Sequence, residues 1–165
     1  MKPALSPLIN RESRILILGS MPGEKSLQLQ QYYGNRGNHF WKLMFAVFDE
    51  RFSEDYDARK KFLVKTRMAL WDVLSHCERV GSLDSNIKNE IPNDFSAVFA
   101  KYPNISYVVF TSKAAESYYD KYNERLSTVE YYRVPSPSGA NAGTSFSQKL
   151  REWELFKVLA SKSLP

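Results

Sequence analysis

The sequence is poor in the residues that build redox and metal chemistry. It has one cysteine, Cys77, and two histidines, His39 and His76. A single cysteine excludes an intramolecular disulfide, and with it zinc sites made of four cysteines or of two cysteines and two histidines. No stretch approaches the ~18 apolar residues needed to span a bilayer. The opening residues MKPALSPLINRESR lack the apolar run of a secretory signal. Charge blocks, low-complexity segments and internal repeats are also missing. Residues 1–50 carry 6 basic and 4 acidic side chains, residues 51–100 carry 8 and 8, and residues 101–165 carry 9 and 6. These absences point to a soluble protein of a reducing, cytoplasmic compartment with no membrane partner.

What is present fits one domain spanning residues 1–165, long enough to remove roughly 70% of its unfolded-state surface from water. Apolar residues make up 43% of the chain and charged residues 25%, a globular composition that excludes general disorder. The net charge is +5 and the pI about 9.2, which permits a polyanionic partner without requiring one. Aromatics are abundant: 10 Tyr, 10 Phe and 3 Trp. Such residues stack on nucleic-acid bases, and they also fill ordinary cores.

Four apolar runs read as strands: RILILG (14–19), MALWDV (68–73), SYVVFT (106–111) and EYYRVP (130–135). Helical spacing covers 38–50, 56–66, 94–102, 112–126 and 145–161. Ser112 is placed to cap its helix. Strands alternating with helices imply βαβ units, a parallel sheet and helices on both faces. Ligands of such sheets bind beyond the carboxyl ends of the strands. The residues to weigh are therefore 19–26, 72–86, 111–113 and 135–143.

The first of these loops, GSMPGEKS, nearly matches the phosphate-binding pattern G-x-x-x-x-G-K-[ST], with Gly19, Lys25 and Ser26 in register. Glu24 stands where the second glycine belongs, and its carboxylate argues against a phosphate cradle. In QYYGNRGNHFWKLMF (31–45), Asn38 either caps the following helix or presents a carboxamide to a ligand. Tyr33 is either core or a stacking platform. The loop VPSPSGANAG (134–143) is either a linker or, being longer than the usual 2–6 residues, a functional loop. Asp72 ends a strand and either binds loop amides or takes part in chemistry, with Asp84 and Ser85 facing the same way. The neighbours His76 and Cys77 do not make a nucleophile–base pair, because adjacent side chains diverge.

Together, ILGSMPGEKS (17–26), YYGNRGNHFW (32–41), ALWDVLSHCERVGSLDSNI (69–87) and PSPSGAN (135–141) resemble the uracil-DNA glycosylase superfamily. The hypoxanthine-DNA and mismatch-specific branches are the most similar, and the resemblance runs from Ile15 to about Trp153. It implies a three-layer α/β/α sandwich around a four-stranded parallel sheet, with no metal and no cofactor. It also implies a monomer acting on double-stranded DNA that holds a damaged or mismatched base, in the cytoplasm and on the nucleoid. By similarity Asn38 is the catalytic residue, and Gly19, Ser20, Met21, Tyr33, Thr111 and Ser112 surround the flipped base. Asp72, Asp84 and Ser85 form an additional polar site. Lys25, Ser136, Pro137, Ser138, Gly139 and Asn141 contact DNA.

Three positions depart from the family pattern. Met21 replaces the water-orienting asparagine of the mismatch-specific branch. The hypoxanthine branch also lacks that asparagine, so the burden shifts to Asn38. Thr111 and Ser112 stand where the hypoxanthine branch has Asn-Gly. Ser136-Pro137-Ser138-Gly139 is nearer the mismatch-specific form than Ser-Thr-Ser-Pro. The function expected is removal of hypoxanthine, or of uracil or xanthine, from DNA in base excision repair. A weak or inactive damage-binding module on the same fold is the alternative. Lys25, Arg36, Lys113 and Lys149 lie in or beside the DNA-facing loops, a small phosphate footprint with a shallow salt dependence.

Overall fold

The structure is a computed structural model that describes residues 2–162. Four parallel strands form its centre: β2 (Ile15–Gly19), β3 (Met68–Asp72), β6 (Tyr107–Phe110) and β7 (Glu130–Arg133), in the order β3-β2-β6-β7. The register pairs Gly19 with Asp72, Leu18 with Phe110 and Phe110 with Arg133. All five residues of β2 are buried, as a central parallel strand covered on both faces requires.

The period of two in β2 divides the core. Ile15 and Ile17 face a cluster with Phe40, Trp41, Leu43, Met44, Phe62, Trp153 and Phe156. Those residues come from α2 (Phe40–Val47), α3 (Tyr56–Lys65), α6 (Phe146–Trp153) and α7 (Leu155–Lys162). Leu16 and Leu18 face the other way, onto Phe95 and Val98 of α4 (Phe95–Lys101) and Ala115 and Tyr119 of α5 (Lys113–Tyr122). The expected three-layer α/β/α sandwich is therefore present. The helix starts follow local chemistry: Asp55, Asp94, Ser112 and Ser145 each accept from a backbone N–H three residues on.

Three features were not anticipated from the sequence. A short helix, α1 (Glu24–Leu29), follows the first loop. A second, antiparallel sheet joins β1 (Lys2–Pro3), β4 (Leu74–Glu78) and β5 (Lys88–Pro92) in the order β1-β4-β5, with β4 inside the 72–86 span taken as a loop. Irregular register between Leu74 and Glu78 breaks the alternation that would have marked β4. The last helix is interrupted at Glu154, which stays in the right-handed α region, so the chain continues as α7.

The chain leaves β2 across one face to reach β3, then passes across the other face to β6. The switch point lies between β2 and β6, where Gly19 and Thr111 end adjacent strands, and open α/β sheets bind ligands in such crevices.

Candidate functional site

A cleft of about 1230 Å³ opens at that end of the sheet. Its lining brings together Asn38, Gly19, Ser20, Met21, Tyr33, Thr111 and Ser112, then Asp72, Asp84 and Ser85, then Lys25, Lys113, Ser136, Pro137, Ser138, Gly139 and Asn141, but not Arg36 or Lys149. Residues up to 122 positions apart in sequence meet because four strands end on one edge.

The floor is tight. A Cβ on Gly19 would lie 2.8 Å from Asp72 Oδ1, 3.3 Å from the Tyr33 hydroxyl and 3.8 Å from Thr111 Oγ1. Glycine is needed here because three polar side chains converge over its Cα. Val73 N donates to Gly19 O and Leu74 N to Ser20 O, which fixes both peptide planes. Ser20 Oγ donates to Asp84 Oδ1 at 2.6 Å, linking the first loop to the 3₁₀ turn Asp84–Asn86. Met21 is buried against the core, while Ser85 is exposed.

Tyr33 crosses this floor. Its ring stacks on Phe40 with centroids 3.9 Å apart and planes at 4°. Its hydroxyl lies 3.3 Å from Thr111 Oγ1, and Thr111 Oγ1 also donates to Leu18 O. Tyr33 holds a left-handed φ of 54°, a conformation costing a non-glycine residue about 1–2 kcal/mol. Burial and the neighbouring Asp72 carboxyl both push the Tyr33 phenol up, so it stays protonated.

Asn38 lines the cleft, and the N-cap position of α2 considered for it is instead taken by His39, which makes no side-chain cap bond. Asn38 Oδ1 accepts from Phe40 N at 2.9 Å, at the start of α2. Its amide nitrogen has no partner among the described residues and belongs to a side chain lining the cleft. Ser112 Oγ likewise accepts from Ala115 N. Ser26 Oγ accepts from Gly34 N at 3.0 Å, tying the start of α1 to the turn that carries Tyr33.

Asp72 is only 4% exposed. No hydrogen bond reaches its carboxyl from any described residue, and Oδ2 is fully buried without a partner. The loop amides proposed to satisfy it therefore do not do so. Burial, then the Asp84 carboxyl, push Asp72 up to about 7, against the opposing effect of Arg79. Arg79 itself is buried, and its Nη2 donates to Pro22 O, bracing the first loop from below. Neither Arg79 nor Ser82, whose Oγ accepts from Glu24 N, carries a sequence signal for this role; both act through contacts between distant segments.

The loop after β7 forms the opposite rim. Ser136 Oγ accepts from Ser138 N, Asn141 Nδ2 donates to Ser136 O, and Asn141 N donates to Ser138 O. Pro137 is buried, and its carbonyl accepts from His39 N at 2.8 Å. A Cβ on Gly139 would lie 2.7 Å from Gly37 O. From below, Trp153 Nε1 donates to Pro135 O and Lys149 Nζ to Ser138 O. This is a braced loop, not a linker. Lys149 is 1% exposed, which corrects its placement among the phosphate-facing cations: it supports the loop from inside. Lys25, Arg36 and Lys113 are exposed as expected, with Arg36 3.8 Å from Glu54. Cys77 is buried in β4. Among the described residues, no helix is long and apolar enough to cross a membrane.

Residues 6–160 match the family model described as the uracil DNA glycosylase superfamily. A hypoxanthine DNA glycosylase of Methanosarcina barkeri is 36% identical over 159 residues, covering 94% of this chain and 98% of the relative. A hypoxanthine DNA glycosylase of Methanosarcina acetivorans is 35% identical over 155 residues, covering 93% and 96%. The solution NMR structure of a candidate uracil DNA glycosylase from Methanosarcina acetivorans superposes with a TM-score of 0.83 at 36% identity, covering 96% of this chain and 98% of the other.

Proposed function

The chain belongs to the uracil DNA glycosylase superfamily and is a DNA glycosylase, and from that premise we propose that it is a monofunctional enzyme of base excision repair acting on deaminated bases. Hypoxanthine is the first substrate and uracil or xanthine the second, within double-stranded DNA. The reading is carried by one observation: the Tyr33 ring, the Asn38 carboxamide and the 136–141 loop line a single cleft at the switch point of the sheet.

In this reading the base leaves the duplex at a cost of roughly a few kcal/mol, less for a mismatched pair. The braced loop at Ser136–Asn141 enters the duplex in its place. Stacking on Tyr33 returns about 1–3 kcal/mol, and Phe40 behind the ring holds the platform flat. As the glycosidic bond breaks, positive charge builds on the sugar and negative charge on the base. Backbone amides around Gly19 and Ser20 donate to the base, each such donor being worth about 3 kcal/mol. The Asn38 amide nitrogen orients the attacking water or the base. A carboxamide is too weak a base to take the proton. No lysine is singled out as a Schiff-base nucleophile, so the expected product is an abasic site in an uncut strand.

The test is a panel of duplexes carrying each deaminated base, followed by alkaline cleavage. Hypoxanthine released and the strand left intact before alkali is the expected result. Asn38→Ser keeps an oxygen able to accept from Phe40 N and removes the amide nitrogen. It should lose most excision while folding and binding duplex. Unchanged excision would take Asn38 out of the mechanism. Binding of damaged duplex without any abasic product would favour the damage-binding alternative.

A further inference from the structure

We propose that the Asp72 carboxylic acid is the general acid of the reaction, giving its proton to the departing base. The proposal rests on the glycosylase reading above and deepens it by assigning the leaving-group proton.

The geometry carries it. Asp72 ends β3 directly beside Gly19, in register with it. Its Oδ1 stands 2.8 Å from where a Gly19 Cβ would be, so the carboxyl covers the one point of the floor where no side chain can stand. The side chain lines the cleft, is 4% exposed and accepts no hydrogen bond from any described residue. A structural buried carboxylate is normally satisfied by amides or a cation, and this one lines the cleft with no hydrogen-bond partner among the described residues. The groups around it favour the neutral form. Asp84, held by Ser20 on the 3₁₀ turn, brings a like charge. The Tyr32 and Tyr33 phenols nearby stay protonated and bring no charge to it. Arg79 offers the opposing charge, but it hydrogen-bonds the Pro22 carbonyl and forms no ion pair with Asp72.

The step balances without any co-reactant. The C1′–N bond breaks and its electron pair leaves with the base. The Asp72 O–H gives its proton to an acceptor atom of that base. Water adds to C1′, and the proton it sheds returns to the Asp72 carboxylate. The products are the neutral free base and the abasic hemiacetal.

The experiment is single-turnover excision from a deoxyinosine duplex between pH 5 and 9, for the wild-type protein and for Asp72→Asn. Asparagine keeps the shape and still donates a hydrogen bond, but it has no proton to transfer. The wild-type rate should be flat at low pH and fall tenfold per unit above about 7. Asp72→Asn should be slower by at least about 100-fold at pH 6, with the alkaline fall gone. Both proteins should bind a duplex carrying non-cleavable 2′-fluoro-deoxyinosine within about threefold of each other. An Asp72→Asn rate within about threefold of wild type, a surviving alkaline limb, or binding lost in step with rate would each overturn the assignment. If the wild type releases no deaminated base at any pH, the substrate reading itself fails, and this step falls with it.

Discussion

Gly19 and Asp72 end adjacent parallel strands in register, and the Cα of one lies beneath the carboxyl of the other, with 2.8 Å between Asp72 Oδ1 and the position of a Gly19 Cβ. A methyl group there must displace the carboxyl, because the strand backbones are fixed by the ladder. Gly19→Ala should therefore retain the fold and lose excision by about 100-fold, the scale of a misplacement near 1 Å. Single-turnover kinetics with circular dichroism as the folding control checks this.

Tyr33 separates stacking from hydrogen bonding. Tyr33→Phe keeps the ring on Phe40 and removes only the 3.3 Å contact with Thr111. It should cost about 1 kcal/mol, or roughly fivefold in excision. Tyr33→Ala removes the platform and should cost about 1–3 kcal/mol in the same assay. Equal losses for the two variants would show that the hydroxyl, not the ring, matters.

Lys149 and Lys25 should respond differently to salt. Lys149 is buried and donates to Ser138 O at 3.2 Å. Lys149→Met leaves that carbonyl without its donor and should lower stability by about 1–3 kcal/mol in urea unfolding. The slope of log K against log salt for duplex binding should not change. Lys25→Ala removes an exposed cation at the cleft and should flatten that slope by about 1 without changing stability.

The buried Asp72 has a consequence for stability. Its carboxyl is pushed up from 3.8 to about 7 in the folded protein. Between those values the unfolded chain has released the proton while the folded protein retains it. Stability from this group is therefore full below about 3.8 and falls as pH rises toward about 7. Asp72→Asn should be relatively more stable the higher the pH across that window. Urea unfolding at pH 5 and pH 8 measures the difference, and a gap that does not widen would mean the carboxyl is charged when folded.

The α/β/α architecture was legible in the chain because buried parallel strands are written as unbroken apolar runs. Ile15–Gly19 and Tyr107–Phe110 match those runs closely. The antiparallel β4 was not legible, since its irregular register removes the period of two. The cleft residues were found through loop motifs at strand ends. Their roles were not fixed there: Asn38 lines the cleft, but its Oδ1 closes a local turn onto Phe40 N and the N-cap position of α2 falls to His39. Lys149 shows the limit most clearly, because a lysine beside a DNA-facing loop reads as a phosphate contact until the fold buries it.

By itself, then, the order of apolar runs and turn residues determined the sheet, its layers and the edge on which chemistry could occur, because those follow from local periodicity and strand direction. Only the tertiary structure decided which polar groups at that edge are satisfied and which are open. Satisfaction depends on atoms brought from distant segments: Arg79 to Pro22, Ser20 to Asp84, Trp153 to Pro135. Asp72 is the carboxyl at that edge which those contacts left unpaired.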